Sequence, residues 1–174
     1  MAYDYDQLYR DTKDALGAPT REFVTFFQPL AGQRLDVLDV GCGQGRDALM
    51  LLRAGHRVVG VDLSPHGIAD IEAVAAREGL AFQGHVADIT TFSPDARFDV
   101  VLIDRTLHML ADADQETVLA RLVTAVRPQG WLLIADEKRN LPRFRAVLDQ
   151  SGQNWSIFKD RAGYLFAQNP AHDA

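Results

Sequence analysis

Residues 35–47 read LDVLDVGCGQGRD. An apolar run carries Asp39 near its end, glycines follow at alternate positions (Gly41, Gly43, Gly45), and Arg46 and Asp47 open the next segment. A glycine turn between a strand and a helix lets backbone come close to a ligand. Two kinds of nucleotide compete for such a turn. The dinucleotide pattern is G-x-G-x-x-G; here the third glycine falls one place early and Arg46 stands where that pattern wants glycine. Asp39 would also repel a pyrophosphate, whereas its carboxylate suits an ammonium group.

Two further carboxylates extend the argument. Asp62 ends the apolar run RVVGVD, 21 residues after Gly41. An acidic side chain at that strand end can accept hydrogen bonds from both ribose hydroxyls, and on its own it would fit NAD as well. Asp88, in HVADIT, is placed to take an adenine amino group, with the apolar Leu63 and Ile89 on either side of the ring. A nucleoside that carries an ammonium group and a sulfonium but no phosphate is S-adenosylmethionine, and D-x-G-x-G-x-G suits it better than a dinucleotide. Cys42 lies inside the turn, but no histidine is near it in sequence and methyl transfer needs no covalent enzyme intermediate. It reads as a small buried thiol rather than a nucleophile.

These residues must be held by an alternation of strands and helices. Strand-like runs rich in Val, Leu and Ile occur at 35–40, 57–62, 98–103 and 131–136, with further strands expected at 80–86, 155–160 and 163–168. Helices are expected at 46–54, ending at Gly55, and from the Ser64 N-cap and Pro65 to Glu78, before Gly79. Others fit 114–126, 142–150, 20–30 and 3–13. The alternation predicts an α/β protein with a Rossmann-like, doubly wound, seven-stranded sheet. Only Arg161 and Ala162 separate the last two strands, too short a link for a parallel crossover, so the last strand must be antiparallel.

Composition narrows the class. The chain has 174 residues, 47% hydrophobic and 24% charged, which fits a globular domain with a sizeable core. A formal net charge of −6 argues against a nucleic-acid partner. The single cysteine precludes an intramolecular disulfide and suits a reducing, cytoplasmic setting. The start, MAYDYDQLYRDTKD, is acidic and unlike a signal peptide, and the apolar runs are too short to span a membrane. No metal site is expected.

Asp39–Gly45, Asp62, Asp88 and FDVVLID (98–104), followed by VRPQGWLLIAD, resemble the successive motifs of class I S-adenosylmethionine-dependent methyltransferases. The stretch GCGQGRDALMLLRAGHRVVGVDLSP, including Arg46 and Asp47, is similar to the small tellurite-resistance and thiopurine-type members, although this chain is shorter than the thiopurine type. The resemblance covers about residues 20–168. It implies strand order 3-2-1-4-5-7-6, with Asp39 and Gly41, Cys42, Gly43 and Gly45 on the methionine part, Asp62 on the ribose, and Asp88 with Ile89 on the adenine. It also implies S-adenosylhomocysteine as product and division into an N-terminal lid, residues 1–19, and a methyltransferase domain, residues 20–170.

The acceptor side is less explicit. Ligands in this fold lie beyond the carboxyl ends of the strands, so DRTLHML (104–110) should line the acceptor pocket. Asp104, Arg105 and His108 are its polar candidates, with Asp104 also near the cofactor. His108 is either a general base or a histidine packed in a short helix. A soft sulfur, selenium or tellurium nucleophile would need no base, since proximity and in-line orientation supply most of the acceleration. Tyr5 and Tyr9 share one face of the first helix, with Tyr3 nearby. With Phe23 and Arg46 they are the expected lid contacts, an aromatic face suiting a cation. The expected partner is a small molecule, and the protein a monomer or homodimer. The alternatives are a cofactor-binding module without catalysis of its own and an NAD-dependent oxidoreductase, which Asp39 disfavours.

Overall fold

A computed structural model describes residues 4–170; Tyr3, one of the expected lid aromatics, lies outside them. The strands are β1 (Asp36–Val40), β2 (Arg57–Asp62), β3 (Phe82–Val86), β4 (Phe98–Asp104), β5 (Val126–Ala135), β6 (Ser156–Arg161) and β7 (Tyr164–Gln168). The α-helices are α1 (Tyr5–Asp11), α2 (Arg21–Phe27), α3 (Arg46–Arg53), α4 (Pro65–Glu78), α5 (Asp112–Val123) and α6 (Leu141–Gln150). The sheet has seven strands in the order β3-β2-β1-β4-β5-β7-β6, as expected, and β7 runs antiparallel to β5 and β6. The chain divides into two compact units, Met1–Ile89 and Thr90–Ala174.

In the first unit, β1 pairs with β2 and β2 with β3, all parallel. Val37, Leu38 and Val40 of β1 are fully buried, as are Leu51 of α3 and Ile71 of α4. Each such side chain contributes about 1.5–3 kcal/mol by leaving water. The α4 boundaries follow the local sequence: Ser64 Oγ accepts the Gly67 N–H (3.0 Å), Pro65 takes the first turn, and Gly79 closes the helix at φ +67°.

In the second unit, β4 and β5 are parallel, and β5 continues into the antiparallel pairs. Leu102, Leu132, Ile134, Phe144 and Leu165 are fully buried. The β6–β7 turn uses Ala162 (φ +57°) and Gly163 (φ +89°), one residue on from the short link expected at Arg161 and Ala162. The largest departure from the expected boundaries lies around Pro128. Helix α5 ends at Val123, and β5 starts at Val126 rather than 131, running through Pro128 and Gly130. The β4–β5 register jumps between Phe98/Val126 and Val100/Trp131, so the Pro–Gly stretch forms a bulge inside the strand rather than a loop before it. Gln129, at φ +63°, is held there by donating its N–H to Asn169 O (3.0 Å).

His56, next to β2, is buried against the Phe27 ring (5.4 Å between centroids). Its Nδ1 accepts the Leu35 N–H (3.3 Å), which assigns the ring proton to Nε2, and Nε2 is buried without a partner. Burial lowers the imidazole pKa below its ordinary 6.5, so folded His56 stays neutral where the unfolded chain would already be protonated. The unfolded state therefore binds the extra proton, and stability falls as pH drops through about 6.5. The loss of melting temperature between about pH 7.5 and pH 5.5 should be smaller in His56→Leu than in wild type. Equal losses by calorimetry would exclude His56 as a source.

Candidate functional site

The turn after β1 is left-handed at each glycine, with φ +76° at Gly41, +52° at Gly43 and +86° at Gly45. Gly41 and Cys42 donate their N–H groups to Val61 O on β2 (2.7 and 3.2 Å). Asp62 completes the anchor: Oδ2 accepts from Gly43 N (2.8 Å) and Oδ1 from Ser64 N (2.8 Å). Each carboxylate oxygen has a second lone pair, so acceptor capacity remains for a ligand. Burial holds the Asp62 carboxyl above the usual carboxylate range, outweighing its backbone hydrogen bonds. Asp39 is buried at the carboxyl end of β1.

The glycines also make room for protein. A Cβ at Gly43 would lie 2.6 Å from the Tyr9 hydroxyl oxygen and 2.9 Å from Leu16 Cδ1, and one at Gly45 would lie 2.7 Å from Ile71 Cγ1. Cys42 turns inward, where a Cβ on Gly60 would meet its sulfur at 2.8 Å. Burial, and then the charges of Asp39 and Asp62, push the pKa of this thiol up.

Tyr9 is buried, and burial raises its phenol pKa. The segment around it is fastened to the turn by Gln44, a buried side chain whose role the sequence did not announce. Gln44 Oε1 accepts the Ala15 N–H (3.0 Å), while Nε2 donates towards Tyr9 O (3.1 Å), Thr12 O (2.9 Å) and Asp70 Oδ2 (2.8 Å). Asp6 adds a second attachment: Ser64 Oγ donates to its Oδ1 (2.5 Å), and His66 Nδ1 lies 2.9 Å from its Oδ2. These contacts pull the Asp6 carboxyl down to about 2, the Ser64 bond most of all. Tyr5 is partly exposed beside Tyr9, with centroids 5.9 Å apart. Arg46 donates to Leu16 O (3.3 Å) and, with Leu16, Met50 and Arg53, lines a small pocket. Phe23, also expected at the lid, is fully buried on α2.

Beyond β2 and β3 the adenine candidates are accessible. Leu63 is 70% and Val86 54% exposed, Asp88 is exposed and Ile89 half-buried. Exposed apolar side chains flanking a carboxylate are a surface that a planar ring would cover.

In the second unit the Asp104 side chain is 6% exposed, and the well-exposed Arg105 guanidinium approaches its Oδ1 at 3.9 Å. Arg105 adopts φ +49°, with its N–H donated to Ala135 O (2.7 Å). That uncommon conformation turns the chain into a 3-10 turn, Leu107–Met109, carrying His108. The His108 N–H donates to Asp136 Oδ2 (3.1 Å), and its ring Nδ1 lies 3.5 Å from the same oxygen. Asp136, just past β5, has a fully buried side chain; its Oδ1 accepts from Glu137 N (2.8 Å) and Asn140 Nδ2 (2.9 Å). This pairing is invisible in the sequence, because 28 residues separate the partners. Among the described residues there is no cluster of His, Cys, Asp or Glu able to hold a metal ion, and no helix long and apolar enough to cross a membrane.

The class follows from a seven-stranded sheet of this order with a glycine turn and an acidic residue closing β2. Residues 37–130 match the methyltransferase domain family, and the chain belongs to that family. It is 34% identical over 97 residues to hemagglutinin 1 of Eikenella corrodens, covering 56% of this chain and 32% of the relative. It is 32% identical over 114 residues to the ubiquinone biosynthesis O-methyltransferase of Bradyrhizobium diazoefficiens, covering 66% and 44%. It thus spans less than half the length of either relative. A TehB-like SAM-dependent methyltransferase from Corynebacterium glutamicum shares its fold, with TM-score 0.72, 23% identity and 96% of each chain covered.

Proposed function

We propose that the protein transfers a methyl group from S-adenosylmethionine to a small-molecule acceptor by direct in-line displacement, releasing S-adenosylhomocysteine. The observation that carries this is the Asp62 carboxylate, which ties the glycine turn to the end of β2 and keeps acceptor capacity for a ribose. The other residues fit the same ligand. Asp39 supplies negative charge for the ammonium group, Gly41, Cys42, Gly43 and Gly45 supply the turn, and Asp88 with Leu63, Ile89 and the exposed Val86 suits adenine. The bound cofactor would supply an electrophilic methyl group on a sulfonium. Asp104, Arg105 and His108 take the acceptor side, at the carboxyl end of a parallel strand where this fold class binds ligands. Residues 1–19, with Tyr5 and Tyr9, act as the lid, and Arg46 braces it through Leu16 O. A soft sulfur, selenium or tellurium acceptor is one class this arrangement could serve; the likeness to a TehB-like protein is one of fold and leaves the accepting atom open.

The second reading is a cofactor-binding module that relies on another chain for catalysis. It needs only the cofactor side, the glycine turn with Asp39, Asp62 and Asp88, and gives Asp104, Arg105 and His108 no chemical task. Calorimetry with S-adenosylmethionine, with NADH as control, tests both, and a saturable isotherm for the first alone is expected. No binding, or binding of NADH instead, ends the proposal. Methyl-transfer assays across thiol, selenite, tellurite, amine, hydroxyl and carboxylate acceptors then separate the readings, since turnover of any of them dismisses the catalytically silent module.

A further inference from the structure

We propose that Asp136 is a positioning residue that holds His108 as a general base, and that the acceptor is therefore a compound with a proton to lose, a phenol or an aromatic N–H, rather than a soft nucleophile with free lone pairs. The inference rests on the methyl-transfer reading above and adds to it the acceptor class.

His108 Nδ1 is buried, has no hydrogen-bond partner, and points at the Asp136 carboxylate across 3.5 Å. That distance is just too long for a hydrogen bond, and such contacts in unliganded sites commonly tighten when substrate binds. Both ends are restrained. Asp136 is fixed by two donors on Oδ1 and by its own N–H to Gly163 O (2.8 Å), and the His108 backbone is pinned to Oδ2. A carboxylate facing Nδ1 selects the tautomer with the proton on Nδ1, which leaves the Nε2 lone pair available. The ring is 27% exposed although Nδ1 is buried, so its open side is the one away from Asp136. Among the described residues the neighbouring charges are otherwise engaged. Asp112 and Glu116 of α5, which packs on this turn, pair with Arg143 (2.5 and 3.4 Å), while Glu137 pairs with Arg139 (2.6 Å) and Arg105 leans to Asp104. A residue that merely packs a short helix has no need of a buried carboxylate on its ring nitrogen.

The step balances. His108 Nε2 takes the proton of the acceptor O–H or N–H, and the freed electron pair forms the new bond to the methyl carbon. The carbon–sulfur bond breaks with its pair passing to sulfur, and the imidazolium later returns its proton to water. Asp136 steadies the imidazolium by accepting its Nδ1–H.

The test begins with calorimetry of S-adenosylmethionine on wild type, His108→Gln and Asp136→Asn; loss of binding in wild type would indict the parent reading, not this one. Given binding, nitrogen-15 NMR of the imidazole should show the Nδ1–H tautomer for His108 in the S-adenosylhomocysteine complex, and the Nε2–H tautomer in Asp136→Asn. Turnover is then measured on catechol, a hydroxyquinolone and an aromatic amine, and on dimethyl selenide, which has no proton to give. We expect methylation of at least one protic acceptor, with kcat lower by about 100-fold or more in His108→Gln, a general base being worth that much, while KM and cofactor affinity change little. Asp136→Asn keeps an oxygen for the backbone donors and should still lose most of that kcat; if it fails to fold, His108→Gln carries the test. An Nε2–H tautomer in wild type, kcat unmoved in His108→Gln, methylation of dimethyl selenide alone, or cofactor binding with every protic acceptor untouched would each overturn the proposal.

Discussion

Asp62→Ala should lower affinity for S-adenosylmethionine by at least about 100-fold and the melting temperature by about 5–15 °C. The two losses have one origin. The carboxylate accepts from Gly43 N and Ser64 N, and so joins the glycine turn to the N-terminus of α4. Alanine leaves both donors without that acceptor, and each orphaned N–H costs about 1–3 kcal/mol. In a chain of this length about 1 kcal/mol moves the melting temperature by roughly 2–4 °C. The affinity loss follows because the ribose acceptor disappears and the turn is released together. Asp62→Asn keeps one oxygen acceptor and should recover part of the stability but little of the binding. Calorimetric titration and thermal melts read both quantities. Unchanged melting would show that the carboxylate is no anchor, and unchanged affinity would remove it from the ribose.

Gln44→Ala should release the N-terminal segment from the turn. The amide side chain is buried and bonds Ala15 N, Tyr9 O, Thr12 O and Asp70. Without it, a backbone donor and two carbonyls lose their partner inside a packed region, and local opening becomes cheaper by about 1–3 kcal/mol. Amide exchange over residues 5–16 should accelerate about 10–100-fold, while β4, β5 and β7 keep their protection. Gln44→Glu should be worse than alanine above about pH 5, because a carboxylate would face Asp70 and two carbonyl oxygens with no proton to share. If residues 1–19 act as the lid, dissociation of S-adenosylhomocysteine should speed up in the same variants. Exchange identical to wild type would show that Gln44 is a bystander.

Most of the fold could be read from local signals. β-branched runs marked β1, β2, β4 and β5, Ser64 and Gly79 bounded α4, and the short link at Arg161–Ala162 required the antiparallel pair. What could not be read depends on partners distant in the chain. Pro128 and Gly130 look like a loop before a strand, and only pairing with β4 and with Asn169 turns them into a bulge within β5. For the proposed cofactor side, the acidic strand ends and glycines stood out because their residue types fall at regular steps along the chain. Gln44 and Asp136 did not, since a glutamine in a turn and an aspartate after a strand acquire meaning only from Tyr9, Thr12, Ala15 and Asp70 in one case and His108 in the other.

The contact between Tyr9 and the space left by Gly43 makes α1 a mechanical handle on the glycine turn. A load applied at α1 passes through Tyr9, Thr12 and Ala15 to Gln44, and through Asp6 to Ser64 and His66, before it reaches any strand. Pulled from that end, the protein should yield first at these side-chain bonds, distorting the turn while the β-ladders still hold. A bulky fusion or surface attachment at α1 should therefore disturb the glycine turn before it disturbs the β-ladders.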